Sequence, residues 1–178
     1  MDVKKLYFLI NSLAGGGAEK VAIRLYERLK PEKIILLERD VSYPVHQGAL
    51  EFLSNHTKST NPIFKTLYIP FYALKLRKYV EKESTILSFL ERANFVNVIA
   101  KIFLGHRAVI SVHMDQITGH KGVRSLNKIL AKFLYPKADL IVAVSYGVKE
   151  SLIKLGVPEK KIKVIYNPYP IEEIRESA

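Results

Sequence analysis

Short apolar runs alternate with runs of helical spacing through most of this chain. The apolar runs are KLYFLI, KIILL, STILSF, RAVISV, DLIVAV and KIKVIY. Between the first two, Val21, Leu25 and Leu29 recur at the spacing of one helix face. Strands that are apolar throughout and separated by helices are typical of a parallel sheet covered on both faces. The sequence therefore predicts an α/β fold: a Rossmann-like, doubly wound, mostly parallel sheet with helices on both faces.

Proline, glycine and serine mark the expected ends of several helices. We expect helices from Pro70 to about residue 82, at 93–104 with Gly105 as C-cap, and at 124–134. A further helix is expected at 146–155, with Ser145 as N-cap and its end at Gly156 and Pro158. The stretch 41–62 is irregular and predicts at most a short strand near residues 51–53. The tail NPYPIEEIRESA has two prolines followed by charged residues, which indicates a linker or a crossover helix.

Composition narrows the class of protein. The chain has no cysteine, which excludes a disulfide framework and a thiolate metal site and favours a cytoplasmic protein. No apolar run reaches the roughly 20 residues that a membrane-spanning helix needs. The 28 basic residues outnumber the 17 acidic ones and give a net charge of +11. Such a charge favours nucleic acid, an anionic membrane surface or phosphorylated ligands, without choosing among them.

Three glycines, Gly15 to Gly17, stand at the first strand-to-helix turn in NSLAGGGAEK. A turn of this kind directs helix N–H groups, and the positive end of the helix dipole, toward an anion. A P-loop would need Ser or Thr after a Gly-Lys pair, but Lys20 lies between Glu19 and Val21. A dinucleotide-binding loop would need a third glycine where Lys20 stands. The open alternatives are another phosphate-bearing ligand and a tight turn without a ligand.

The glycine turn and four later motifs, in this order, resemble the N-terminal domain of bacterial family 4 (group 1) glycosyltransferases. The motifs are NSLxxGGAEKV at the first turn, LSFLERANFVNVIA (87–100), VISVHMD (109–115), ADLIVAVSYGVKESL (138–152) and IKVIYNPYP (162–170). The resemblance implies one half of a GT-B fold. Residues 1–166 would be the acceptor-side domain, and 167–178 the start of an interdomain linker. The donor-binding C-terminal domain would be absent from this chain.

The resemblance also assigns roles at the first turn and after a later strand. Gly15, Gly16 and Gly17 would line the cleft and approach the donor's diphosphate or the acceptor. Gly16 and Gly17 match the family best, and a role in shaping the turn alone is the alternative for Gly15. His113 matches a histidine that contacts the transferred sugar, and it is the candidate for catalytic support. Asp115 would orient His113 or bind an acceptor hydroxyl, and a solvated loop acid is the alternative.

Two further candidates follow the strand STILSF. Arg92 and Asn94 would bind an acceptor or a phosphate, by resemblance and by their place at a strand end. The alternative is that they only begin the next helix, where Asn94 is capable of capping.

The segment 64–82 combines cations with aromatic side chains, and Lys75, Arg77 and Lys78 are its central cations. This mixture suits an anionic membrane surface, which the resemblance favours because family members often act on lipid-linked acceptors. It would also suit single-stranded nucleic acid. An ordinary amphipathic helix with a solvated basic face is the third interpretation.

Together, these observations predict half of a hexosyl-type glycosyltransferase. It would transfer a sugar from a nucleotide-sugar to a surface-polysaccharide or lipid-linked glycan, with retention of configuration and without a metal or a cofactor. We expect a cytoplasmic protein in peripheral contact with the inner face of the membrane, and we expect the isolated domain to be inactive. The alternative is a stand-alone module that binds a membrane or nucleic acid through 64–82. A nicotinamide-dependent oxidoreductase is disfavoured by Lys20.

Overall fold

The computed structural model describes residues 5–115 and 123–169. Within these ranges the chain forms seven strands and six α-helices. The strands are β1 Leu6–Ile10, β2 Lys33–Leu36, β3 Leu50–Phe52, β4 Thr85–Phe89, β5 Arg107–Val112, β6 Leu140–Ala143 and β7 Ile162–Val164. The helices are α1 Gly17–Leu29, α2 Pro62–Leu67, α3 Ile69–Leu76, α4 Glu91–Leu104, α5 Val123–Leu134 and α6 Tyr146–Leu155.

All seven strands join one parallel sheet in the order β3-β2-β1-β4-β5-β6-β7. β1 is central: Tyr7 lies opposite Lys33 of β2, and Leu6 lies opposite Thr85 of β4. The strand order reverses between β1 and β4, so the crevice in which open α/β sheets bind ligands lies at the carboxyl ends of these two strands. The predicted Rossmann-like, doubly wound architecture is confirmed.

The core has two layers, one on each side of the sheet. Phe8 and Ile10 of β1 point to one side and pack with Val21 and Ala22 of α1. Tyr7 and Leu9 point to the other side, where α3, α4, α5 and α6 cover the sheet. The alternation along β1 therefore places helices on both faces, as the apolar pattern predicts.

Local helix signals at α4 and α6 are largely confirmed. α6 begins at Ser145, whose Oγ accepts a hydrogen bond from the Val148 N–H at 3.2 Å, and it ends at Gly156 with φ of 101°. α4 ends at Gly105, with φ of 68°. Its beginning differs from the expectation, because Leu90 and not Asn94 is the N-cap residue.

The helix expected from Pro70 to about residue 82 starts as predicted, because α3 begins at Ile69 with Pro70 in its first turn, but it ends six residues early and a separate helix precedes it. Asn61 caps an earlier helix, accepting a hydrogen bond from the Ile63 N–H at 2.9 Å, and Pro62 opens it. Proline at that position is favourable, because the first helical N–H has no partner within the helix. α3 ends at Leu76, where the N–H groups of residues 78 and 79 bond the carbonyls three residues back and tighten the chain.

The remaining expectations differ in extent only. The short strand expected near residues 51–53 is β3, and the last strand, β7, covers three residues of the apolar run that predicted it. The tail begins beside α1, where Arg24 donates to the Pro168 carbonyl at 2.9 Å. The rest of the linker predicted for 167–178 lies outside the described residues from position 170 onward. No helix within the described ranges is long and apolar enough to cross a bilayer.

Candidate active site at the carboxyl edge of the sheet

The three glycines of the first turn differ in what they do. Gly15 has φ of 111°, a conformation that side-chain-bearing residues rarely adopt. Gly16 is the N-cap of α1, and an added Cβ there would overlap the Glu19 carboxylate. Gly17 is the first residue of α1, and an added Cβ there would meet nothing within 4 Å. Backbone conformation therefore explains Gly15 and packing explains Gly16, whereas neither requires glycine at Gly17, where the space is open for a ligand.

Glu19 stabilises the glycine turn through hydrogen bonds to its buried carboxylate. Its carboxylate accepts hydrogen bonds from the Gly16 N–H and from the Ser12 hydroxyl, the latter at 3.2 Å, and the side chain is buried. An acidic side chain in the first turn also complements the helix dipole. Because the Gly16 N–H is used within the protein, the N–H groups that point outward from α1 are those of its first turn.

His113 follows β5 at the same edge of the sheet. Its Nε2 lies 3.0 Å from the Ser111 hydroxyl, and its ring lies 6.1 Å from that of Phe89. Burial lowers the pKa of His113 to about 4. The imidazole is therefore neutral near pH 7, and it acts as a hydrogen-bonding group and not as a cation.

A small cavity of about 20 Å³ lies beside His113, lined by Leu90, Glu91, Asn94 and Tyr135 among others. Leu90 has φ of 71° and ψ of 153°, a region that is nearly restricted to glycine. Strained residues of this kind cost about 1–3 kcal/mol and cluster at functional sites. The cavity thus joins α4, β5 and the strained turn between β4 and α4.

Asn94 lies beneath the crevice and not at its surface. It is almost fully buried, its Oδ1 accepts from the Ser88 hydroxyl at 2.8 Å, and its Nδ2 donates to the Ser111 carbonyl at 3.0 Å. The capping role considered for Asn94 is therefore wrong, because long-range contacts hold its amide. Asn94 positions Ser111, which contacts His113.

Arg92 belongs to a buried ionic cluster with Glu38 and Lys65. Its Nη2 lies 2.5 Å from Glu38 Oε1, and the Lys65 ammonium lies 2.6 Å from Glu38 Oε2. The Glu38 and Lys65 side chains are only 4% and 6% exposed. The second terminal nitrogen of Arg92, Nη1, is also buried and has no hydrogen-bond partner in the described part of the chain. Glu38 therefore holds Arg92 in the first turn of α4, at the carboxyl edge of the sheet.

Sequence reasoning missed Glu38 and Lys65 as members of the site. Glu38 follows β2 closely, which places it at the carboxyl edge beside the residues that follow β1 and β4. That position was a usable signal. The sequence contains no comparable signal for Lys65, because its partner Glu38 is 27 positions away and its segment resembles a solvated basic helix.

The other predicted site residues lie farther from His113 or on the exposed surface. Asp115 is exposed, two residues beyond His113. Lys75 is half-buried, and its ammonium donates to the Leu53 carbonyl at 2.7 Å. Arg77 and Lys78 are exposed just after α3. Among the residues described, no three His, Asp or Glu side chains are grouped so that they could hold a metal ion.

An apolar surface lies on α2 and α3. Six large side chains there are between 44% and 63% exposed: Ile63, Phe64, Leu67, Tyr68, Phe71 and Leu74. Tyr72 of the same segment is buried, and its hydroxyl lies 2.6 Å from His56 Nδ1. The segment 64–82 therefore differs from a helix with a purely basic outer face. Clusters of exposed apolar side chains are typical of interaction sites.

The chain matches known proteins across nearly its whole length. The model of Glycosyltransferase Family 4 matches residues 15–173, a segment that begins at the glycine turn. A relative from Campylobacter jejuni, N-acetylgalactosamine-N,N'-diacetylbacillosaminyl-diphospho-undecaprenol 4-alpha-N-acetylgalactosaminyltransferase, is 32% identical over 187 residues. The match covers 99% of this chain and 51% of that relative, so the chain spans about half its length.

Solved structures share the fold at low sequence identity. Anabaena HepE, crystallised with UDP, has a TM-score of 0.68 and 21% identity over 97% of this chain and 49% of its own. The lipopolysaccharide outer core galactosyltransferase WaaB, in its apo form, has a TM-score of 0.62 and 13% identity over 93% of this chain and 46% of its own. In both structures about half of the matched protein is covered, as expected for one half of a GT-B fold.

Proposed function

Because the chain belongs to Glycosyltransferase Family 4, we propose that it forms the acceptor-side half of a two-domain enzyme. That enzyme transfers a hexosyl-type sugar from a nucleotide-sugar to a lipid-linked or surface-polysaccharide glycan. The match of residues 15–173 to the family carries this proposal. The name of the Campylobacter relative specifies transfer of N-acetylgalactosamine to a diphospho-undecaprenol-linked sugar, which supports a lipid-linked acceptor. The structure of HepE with UDP supports a uridine diphosphate donor.

The glycine turn would face the donor's diphosphate or the acceptor. The open space at Gly17 admits a ligand close to the backbone, and the first turn of α1 offers N–H groups and a positive dipole end. Lys65 and Arg92 are both paired with Glu38. Because those two cations are already paired, we assign neutralisation of the diphosphate by this domain to the N-terminal end of α1. The proposal requires no metal or cofactor.

His113 would contact the transferred sugar as a neutral imidazole. Its Nε2 lies 3.0 Å from the Ser111 hydroxyl, and we propose that Nδ1 contacts a sugar hydroxyl. Asn94 would act through Ser111, and Arg92 would shape the crevice wall. Asp115 would reach the acceptor. We propose retention of configuration, on the grounds of family resemblance.

We also propose peripheral attachment to the inner, anionic face of the membrane, in the cytoplasm. The exposed aromatic and aliphatic side chains of α2 and α3 would enter the interface, and Arg77 and Lys78 would meet the lipid headgroups. Lys75 is the weakest of the three predicted cations for this role, because its ammonium donates to the Leu53 carbonyl.

The test measures transfer of labelled sugar from a panel of UDP-sugars to membrane lipid extract by the protein produced from its own gene. His113→Ala should lower transfer at least tenfold, whereas the same change at the exposed His46 should leave it unchanged. Transfer that is insensitive to His113→Ala would refute the role of His113. Failure with every nucleotide-sugar would refute the enzymatic proposal. NMR of the anomeric proton in the product reports retention or inversion.

The alternative is a module that only binds a membrane or nucleic acid through 64–82. Sedimentation with anionic vesicles and gel shift with single-stranded RNA separate the two partners, each measured for the Arg77→Glu, Lys78→Glu double variant. The burial of Lys65 and Tyr72 leaves fewer cations and aromatic rings for nucleic acid than the sequence suggests, and this favours the membrane.

A further inference from the structure

An apolar groove lies between α2–α3, α4 and α5, on the face of the sheet opposite α1. Its volume is about 240 Å³, against about 20 Å³ for the cavity beside His113. Its walls include Leu67 and Pro70 from α2–α3, Phe95 and Ile99 from α4, and Leu126 and Leu130 from α5. The groove is therefore a cleft between helices, and it is distinct from the exposed apolar side chains around it.

One end of the groove lies close to the candidate active site. Leu126 is next to Asn127, whose side-chain amide donates to the Glu91 carboxylate at 2.7 Å. Glu91 also lines the cavity beside His113. Phe95 lies one helical turn beyond Glu91 on α4, a rise of roughly 6 Å. A ligand in the groove could therefore extend to the crevice where the sugar would be transferred.

Charge around the groove favours an anionic amphiphile. α2, α3 and α5 contain no Asp or Glu, and of the cations on α2 and α3, Lys65 is paired with Glu38 and Lys75 donates to the Leu53 carbonyl. Lys128 and Lys132 of α5 are partly or fully exposed, and Arg77 and Lys78 follow α3. The crevice end contains the acids Glu91, Glu38 and Asp115. Glu91 accepts a hydrogen bond from Asn127, and Glu38 is paired with two cations.

Exposed apolar side chains are also found on the helices that form the groove. On α5, Leu126, Ile129 and Phe133 are between 42% and 64% exposed, and on α4, Ile102 and Phe103 are more than half exposed. Hydrocarbon surface of this extent, with cations and few acids nearby, fits lipid better than water or an acidic protein partner.

We propose that this groove binds the hydrocarbon chain of the lipid-linked acceptor, beginning with the isoprenoid units nearest the diphosphate. The proposal rests on the proposed function, because it names the chain of the acceptor that the enzyme would use. It goes beyond membrane attachment, because the hydrocarbon chain of the acceptor would be bound by the protein itself and not only by the lipid bilayer. The acceptor's phosphates then lie at the crevice end of the groove.

The experiment measures binding of isopentenyl, geranyl and farnesyl diphosphate to this chain by calorimetry, below their critical micelle concentrations. Each methylene buried in the groove should tighten binding by up to about fourfold, so affinity should rise steeply from five to fifteen carbons. Inorganic diphosphate controls for the headgroup alone. Affinity that is independent of chain length would overturn the proposal.

Matched variants separate the groove from the exposed surface. Leu126→Gln and Leu67→Gln change groove side chains that are already partly exposed, so the fold should tolerate them. Each should weaken farnesyl diphosphate binding about tenfold. Ile129→Gln and Leu74→Gln change exposed side chains outside the groove and should have little effect.

Equal loss in groove and surface variants would show nonspecific adhesion and overturn the proposal. Sedimentation with anionic vesicles that contain no prenyl lipid provides the second measurement. If all four variants weaken vesicle binding and none changes farnesyl diphosphate binding, the surface binds the bilayer and the groove proposal is wrong. Sugar transfer is measured separately, so failure of the groove proposal is distinguishable from failure of the proposed function.

Discussion

Changing Gly17 to alanine should leave the protein folded and weaken binding of the nucleotide-sugar or acceptor. Nothing lies within 4 Å of the added Cβ, so the native state should tolerate it. Loss of glycine's freedom in the unfolded chain should raise the free energy of unfolding by about 0.4–1 kcal/mol. The same methyl group occupies the space proposed for a ligand. An affinity loss of about tenfold corresponds to about 1.4 kcal/mol.

The two neighbouring glycines provide the internal controls. Gly15→Ala forces a side chain onto φ of 111°, which should cost about 1–3 kcal/mol. Gly16→Ala displaces the Glu19 carboxylate from the Gly16 N–H, and loss of a hydrogen bond to a charged group costs about 1.5–3 kcal/mol. One added carbon at three consecutive positions should therefore give two destabilised proteins and one stable protein.

Urea unfolding and calorimetric titration with UDP-sugars measure the two effects separately. The protein produced from its own gene is used for binding, since the proposed donor site needs both halves of the enzyme. Destabilisation by Gly17→Ala of more than about 1 kcal/mol would contradict the open space at that position. Unchanged binding by the folded Gly17→Ala protein would contradict close approach of a ligand.

Three further predictions concern the buried polar groups and one helix cap. Glu38→Gln leaves Lys65 buried without a carboxylate and should lower the free energy of unfolding by about 3–5 kcal/mol in urea. Burial lowers the pKa of His106 to about 4, so below its unfolded pKa of about 6.5 the unfolded chain binds a proton that the folded chain does not. His106 should therefore lower the free energy of unfolding by up to about 3 kcal/mol as the pH drops from about 6.5 to 4. His113 has the same shift and should add a similar loss, so His106→Gln should remove about half of the slope in this part of the pH profile. Ser145→Ala removes the acceptor for the Val148 N–H and should cost about 1 kcal/mol, whereas Ser145→Gly should cost only a few tenths, measured by thermal and urea unfolding.

The predictions for Glu38 and His106 each have a control or an outcome that would contradict them. The Lys5–Glu81 pair has the same chemistry as Lys65–Glu38 but is exposed, so Glu81→Gln should cost less than about 1 kcal/mol. A similar loss for Glu38→Gln would show that burial of the cluster is energetically unimportant. An acid profile that keeps its slope after His106→Gln would assign the effect to other groups.

Features that depend on neighbouring residues could be predicted from the sequence. Ser145, Gly105 and Gly156 mark helix ends through bonds or dihedral angles within a few residues, and the structure confirms all three. The alternation of strands and helices likewise gave the sheet, because each run carries its own periodicity. The helix at 62–67 was also open to prediction, since Asn61-Pro62 is a local start signal.

Features that depend on contacts between distant residues could not be predicted. Asn94 has the chemistry of a cap, but Ser88 and the Ser111 carbonyl hold its amide. Lys65 has the sequence context of an exposed cation, but Glu38 holds it inside. The roles of Gly17 and His113 in binding came from family resemblance, and that of Asp115 came from its position two residues after His113. All three stay predictions until ligands and variants test them.

The central position of β1 has a consequence for synthesis in the cell. β1 pairs with β2, which follows it closely, but its other partner, β4, is made about 80 residues later. At about 5–20 residues per second, translation takes roughly 4 to 16 s to supply that partner. During this interval one edge of β1 has unpaired N–H and C=O groups, together with an apolar face that awaits α3 and α4. The nascent first half of this domain is therefore a natural client for a chaperone that acts at the ribosome.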